Sequence, residues 1–347
     1  MRPAARSPLG LGLLLFALVS LTGCATVPRQ RDTAAKVSLT YKIVESYAAR
    51  TGQKELFSLD TEALSAYLET RKAHKPPPPP NYITKKFAVT EKTFRGRPCY
   101  QINPRTAAAG VSRAIFFIHG GGFVYETMDI HWKTVERLMK NLSIPIWLPA
   151  YPLLPDAGVE DMVVMLMEAY AAMRAALPGA DIVFLGDSSG ADLAVVLYQY
   201  IQAEADGIPP PDTLILVSPA LIIDNSPRVM NAMARLEQGD VLCTMNMVEA
   251  IPALLLRAEG EHPFFKTILN ADFTLNADFT GMPPTYLFSG TKELFYPQAE
   301  ALAVNLKAAG VYTELIQGNG MGHSWAFWVY PPESKAALSR IMTIIRD

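Results

Sequence analysis

The sequence predicts an α/β protein, a mostly parallel sheet of eight strands with helices on both faces. Three observations carry that prediction. Short apolar runs alternate with helix-length segments through most of the chain. The runs at 113–118 and 182–185 are almost wholly apolar, as strands buried on both faces must be. Half of the 347 residues are hydrophobic and only 18% are charged, which suffices for one large core and a smaller appendage.

The chain opens with Arg2 and Arg6, then an apolar stretch at 9–21 that is short for a membrane span. It ends in Leu21-Thr22-Gly23-Cys24, which resembles the lipobox of bacterial lipoproteins. The resemblance implies that residues 1–23 are a signal peptide and that Cys24 is acylated, anchoring the protein in a lipid bilayer. Ala25 stands where an aspartate would signal inner-membrane retention, so the implied address is the outer membrane of a bacterial envelope. An ordinary secretory signal with an incidental cysteine is the alternative. Residues 24–36 read as a polar tether. Val37, Tyr41, Val44 and Ala48 then recur at helical spacing and predict one buried stripe. Asp60 is a good N-cap for a second helix, with Glu62 in its first turn and Leu64, Tyr67 and Leu68 on its apolar face. The prolines at 76–80 end it and stiffen an extended connector. Residues 37–80 thus form a helical cap segment with a linker, and 81–347 the main domain.

Within that domain, strands are expected at 87–94, 97–102, 113–118, 144–148, 182–185, 213–217, 285–288 and 312–316. Helices are expected near 130–141, 159–176, 191–205, 297–309 and 333–345. The interval from about 221 to 280 has no strand pattern. Its helical stretches, 228–236 and 245–257, the second kinked at Pro252, read as an insertion that covers the site as a cap. Inside it, the sequence at 270–274 recurs at 276–280, a local duplication with no functional account. Cys99 and Cys243 read as buried small apolar residues, a disulfide being the alternative. A net charge of −2 gives no electrostatic case for nucleic acid.

The chemistry gathers at two turns. After the run at 182–185, Gly186-Asp187-Ser188-Ser189-Gly190 fits the pattern Gly-x-Ser-x-Gly, and the residues from Ala191 look helical. A strand entering a helix through one tight turn strains the central residue and holds its hydroxyl beside free helical N–H groups. This makes Ser188 the candidate nucleophile. After the run at 113–118 comes His119-Gly120-Gly121-Gly122-Phe123, whose glycines expose backbone N–H groups to a ligand.

Together these two motifs resemble the hormone-sensitive-lipase-like branch of the α/β-hydrolases, and Tyr151-Pro152-Leu153-Leu154-Pro155-Asp156 resembles a further segment of that branch. The resemblance covers about residues 85–347. It implies the α/β-hydrolase fold with a helical cap, and the N–H groups of Gly120, Gly121 and Ser189 as an oxyanion hole. Ser189 replaces the alanine that the branch carries after its nucleophile. In the chain order serine, acid, histidine used by this fold, His323 is the base. The acid follows the run at 285–288, where Glu293 stands in place of the family's aspartate. No metal and no organic cofactor is implied. The expected activity is hydrolysis of short- to medium-chain acyl esters through an acyl-enzyme on Ser188. A catalytically silent ligand-binding protein and a serine amidase are the alternatives.

Overall fold

Strands with helices on both faces have no water on either side, and the apolar runs fall where that constraint applies. The structure is a computed structural model that describes residues 37–71, 75–105, 111–258, 260, 262–268 and 274–347. Four helices come first: α1 (Leu39–Ala48), α2 (Gln53–Phe57), α3 (Thr61–Glu69) and α4 (Asn81–Thr84). Then follow β1 (Ala88–Phe94), β2 (Arg97–Asn103), β3 (Arg113–Ile118), α5 (Asp129–Leu142), β4 (Ile146–Pro149), α6 (Val159–Ala176), β5 (Asp181–Asp187), α7 (Ser189–Glu204) and β6 (Thr213–Val217). The insertion holds α8 (Pro227–Leu236), α9 (Met245–Arg257) and α10 (Pro263–Ile268). The chain ends with β7 (Thr285–Gly290), α11 (Tyr296–Ala308), β8 (Thr313–Gly318) and α12 (Pro332–Arg346).

The eight strands form one sheet in the order β1-β2-β4-β3-β5-β6-β7-β8. Pairings of β2 with β1 and with β4 are antiparallel, and the remaining neighbours are parallel. At the centre, Ala114 to Ile118 of β3 and Ile182 to Leu185 of β5 are buried throughout, as their unbroken apolar runs require. All eight expected strands are present, with ends shifted by a few residues. The hairpin of β1 and β2 is also as expected.

The helices follow their caps. Asp60 accepts from the Ala63 N–H at 2.8 Å and starts α3, as expected of that N-cap. Ser38 does the same for α1 through the Tyr41 N–H at 3.1 Å. Pro252 lies inside α9. Three short helices, α2, α4 and α10, have no counterpart among the expected elements, because four to six residues make too few turns to show a period. Among the described residues, the insertion's own β structure is an isolated bridge between Ile222 and Thr274. Cys99 and Cys243 are both free and buried, so the disulfide alternative does not hold.

Val37–Asp347 forms one compact unit. Glu333 of α12 accepts from both the N–H and the hydroxyl of Ser38, at 2.7 and 2.9 Å, so the first and last helices are joined. The insertion meets the N-terminal helices through α3 and α9, and Thr244 donates its hydroxyl to the Phe57 carbonyl. The expected leader, Cys24, the expected tether and residues 270–273 of the duplication lie outside the described residues. Among the described residues, no helix is long and apolar enough to cross a membrane.

Phe184 illustrates what holds the sheet to its helices. Its ring is fully buried, 4.9 Å from Tyr170 of α6 in an edge contact and 5.4 Å from Phe116. Phe184→Ala is expected to lower stability by about 3–5 kcal/mol, read from the denaturant midpoint. A loss below ~1 kcal/mol would mean that this layer collapses around the missing ring.

Candidate active site

The turn after β5 is shaped by its glycines. A Cβ on Gly190 would lie 2.1 Å from the Ile118 carbonyl oxygen, and one on Gly186 would lie 2.5 Å from that of Gly190. Their absence lets β5, β3 and α7 close up around Ser188. That serine is left at φ 50° and ψ −128°, a strained conformation for a residue with a side chain. Its hydroxyl sits at the sheet's carboxyl edge, where open α/β sheets place their sites.

His323 reaches it from the loop after β8. Its Nε2 is 2.8 Å from Ser188 Oγ. Two contacts hold the loop: the Gly322 N–H donates to the Tyr41 hydroxyl at 2.5 Å, and the Ser324 N–H donates to Ser218 Oγ at 2.9 Å. On the other side of the ring, Glu293 Oε2 lies 3.5 Å from Nδ1, at the long end of an ion-pair contact. The second oxygen of this fully buried carboxylate accepts from the Ser289 hydroxyl. The turn bearing Glu293 is in turn fixed by the insertion. Asp240 accepts from the Leu294 N–H at 2.7 Å, while its other oxygen accepts from the N–H groups of Leu242 and Cys243. Ser188, His323 and Glu293, expected from three distant parts of the sequence, therefore converge.

The glycine loop is in place, but one of its expected donors is not. The Gly120 N–H donates to Asp187 Oδ1 at 3.0 Å, so this amide is already engaged and faces away from an incoming oxyanion. Gly122, which the sequence reading missed, lines a cavity together with Ser188 and Ser189. The N–H groups of Gly121, Gly122 and Ser189 make no hydrogen bond among the described residues. Three identical residues in a row give no register from sequence alone. The available signal was Asp187, an acceptor inside the serine turn that claims one amide. The Ser189 side chain, a departure from the family alanine, accepts from the Phe123 N–H at 3.4 Å and so braces the end of the same loop.

The other histidines of the described residues lie in packed surroundings. His119 stacks on Tyr151 at 4.4 Å, and its Nδ1 donates to the Gly120 carbonyl at 2.9 Å. Burial, aided by the nearby His131, lowers its pKa to about 3, so it is neutral. His131 Nδ1 accepts from the Met128 N–H at 2.9 Å, which leaves the proton on Nε2, 3.3 Å from Asp187 Oδ1. His262 lies beside Tyr200 and Phe265, away from Ser188, and His74 lies outside the described residues. Among the described residues, no group of three or more His, Cys, Asp or Glu could hold a metal ion.

Two cavities meet at Ser188. The first, about 90 Å³, is walled by Gly122, Val196, Ile251, Leu255 and Phe295. Asp192 also borders it, accepting from the Ala220 N–H at 2.8 Å, and burial pushes its carboxyl up to about 8. The second, about 390 Å³, is wider and more polar; His323, Gly121, Tyr47, Lys133 and Trp328 border it.

Comparisons with known proteins agree with the fold. A family model of the α/β hydrolase fold matches residues 115–327. A triacylglycerol lipase of Mycobacterium tuberculosis is 24% identical over 271 residues, which cover 78% of this chain and 53% of that one. An esterase of Acinetobacter venetianus is 26% identical over 240 residues, covering 68% and 75%. The chain therefore spans about half the length of the lipase and three quarters of that esterase. The crystal structure of an esterase from the bacterial hormone-sensitive lipase family superposes with a TM-score of 0.68 at 23% identity, covering 90% of this chain and 99% of that one.

The charge on His323 depends on its neighbours. Burial lowers its pKa, but Cys243 and Glu293 oppose this and leave it well above the ordinary value. Burial also pushes the Cys243 thiol up to about 12, so that group is neutral at pH 7 and Glu293 is the charge that holds the imidazole proton. The Glu293→Gln variant is therefore expected to lower the His323 pKa, because burial is then no longer opposed by that carboxylate. Titration of the His323 ring by NMR checks this, and an unchanged or higher value would remove Glu293 from the role.

Proposed function

The chain belongs to the α/β-hydrolase fold family, and from that premise we propose that it is a serine carboxylesterase of the hormone-sensitive-lipase-like branch. The observation that carries the reading is the 2.8 Å contact between Ser188 Oγ and His323 Nε2 where the two cavities join. In the first step Ser188 Oγ attacks the ester carbonyl carbon while Nε2 takes its proton. Glu293, facing Nδ1, stabilises the imidazolium. The N–H groups of Gly121, Gly122 and Ser189 receive the negative oxygen of the tetrahedral intermediate. Nε2 then returns the proton to the departing alcohol oxygen, leaving the acyl group on Ser188. Water, deprotonated by the same nitrogen, attacks that acyl-enzyme and releases the acid.

Proton return also assigns the cavities. The alcohol oxygen must leave beside Nε2, so the alcohol occupies the wider cavity that His323 borders. The acyl chain then enters the narrow apolar one. A buried apolar cavity of roughly 150 Å³ holds benzene, so about 90 Å³ favours acyl chains of a few carbons.

The proposal extends to the N-terminus: removal of residues 1–23 as a leader and acylation of Cys24 would tether the enzyme to a bacterial envelope, with Ala25 favouring the outer membrane. The apolar stretch at 9–21 and its Leu21-Thr22-Gly23-Cys24 ending support this. Ester substrate and lipid bilayer are then its partners.

Chromogenic esters of graded acyl length test the reaction. Acetyl and butyryl esters are expected to turn over faster than octanoyl, and Ser188→Ala to lose on the order of 10³-fold or more in kcat. Equal rates for the variant and the parent protein would refute the nucleophile, and a preference for octanoyl would refute the cavity assignment.

A further inference from the structure

Helix α1 has two apolar faces, and the fold buries one. Tyr41, stacked on Trp328 at 4.9 Å, anchors the inner face. Leu39, Ile43 and Tyr47 recur every four residues on the opposite face and are 73%, 61% and 73% exposed. Residues so spaced form one continuous stripe. Lys42 lies exposed along it, and Arg50, just past the helix end, is exposed and donates to the Ser46 carbonyl and hydroxyl. The helix's single acid, Glu45, instead points inward to pair with Lys292 at 2.8 Å. The outward face thus carries an apolar stripe with the neutral Thr40 and Ser46 beside it, and its charged side chains, Lys42 and Arg50, are both cationic.

Position adds a second observation. Tyr47 and the exposed Tyr330 both border the wider cavity, so the stripe runs to the mouth through which Ser188 is reached. Cys24 precedes Leu39 by about 15 residues, at most ~50 Å of extended chain. A bilayer holding an acylated Cys24 therefore lies within reach of α1.

We propose that the outward face of α1 (Leu39, Ile43 and Tyr47, flanked by Lys42 and Arg50) docks on the surface of an anionic bilayer and presents the wider cavity to it. An apolar stripe edged by cations is the pattern of helices that lie in the lipid interface. The long side chains of Lys42 and Arg50 reach headgroup phosphates while the stripe meets the acyl boundary. Substrates with lipid-like alcohol portions then enter directly from the bilayer. The proposal rests on the anchored reading of Cys24 and deepens it, since anchoring alone sets no orientation.

The test uses the full chain in vesicles of phosphatidylethanolamine and phosphatidylglycerol. An environment-sensitive fluorophore is placed at Ile43→Cys and, separately, at Lys307→Cys on α11, which does not line the wider cavity. The expected result is a blue-shifted emission at position 43, quenched roughly twofold or more by nitroxide-bearing lipids, with position 307 unaffected. Vesicle flotation of the Cys24→Ala form reads the anchor separately and involves no turnover. Protein that floats with an aqueous, unquenched label at position 43 would overturn the docking face and leave the anchor standing. A blue shift without nitroxide quenching would overturn it too, because protein rather than lipid would then cover the stripe.

Discussion

One buried carboxylate, that of Asp187, holds the site together. It is the residue immediately before the proposed nucleophile, and three separate segments converge on it. The Gly120 N–H of the glycine loop donates to one oxygen, the Ser324 hydroxyl of the histidine loop donates to the other at 3.1 Å, and His131 of α5 faces it at 3.3 Å. Burial alone would raise this carboxyl, but His131, Gly120 and Ser324 more than offset that and hold it below the usual carboxylate range. Removing a charge of this kind strands its donors without water, which is why such networks fix one geometry. The anion lies within one residue of Ser188, so it also sets the spacing between serine, amide donors and imidazole.

A second set of contacts comes from the periphery. Tyr41 of α1 accepts from Gly322, next to His323, and Asp240 of the insertion accepts from Leu294, next to Glu293. The loops that carry His323 and Glu293 are thus each held by an element remote from the sheet. The insertion and the N-terminal helices roof the site and also set the angle at which the imidazole and carboxylate arrive.

Much of this was legible in the sequence. Strands such as β3 and β5 announce themselves because complete burial demands unbroken apolar runs. Ser188 was legible because the tight turn after β5 admits only glycine at Gly186 and Gly190, and His323 because chain order left it as the histidine after the last strand. The register of the glycine loop was not legible. Gly120, Gly121 and Gly122 are chemically identical, and only the position of the Asp187 oxygen separates the engaged amide from the free ones. Nor was the role of Asp240, whose carboxylate binds main-chain N–H groups and so leaves no trace in side-chain patterning. The outward stripe of α1 was hidden by the inner one: Tyr41, Val44 and Ala48 satisfy the helical period, and Leu39, Ile43 and Tyr47 look redundant until burial distinguishes them.

The clasp between Ser38 and Glu333 also links the two ends of the described chain to the site. Residues 295 apart in sequence meet where α1 is seated, and Tyr41 of the same helix steadies the Gly322 loop. Contacts between segments so distant in sequence form slowly, because a long loop must close before they are rewarded. The contact that steadies the loop bearing His323 therefore depends on one of the longest closures in the fold, so a change at either end of the described residues is felt at the imidazole.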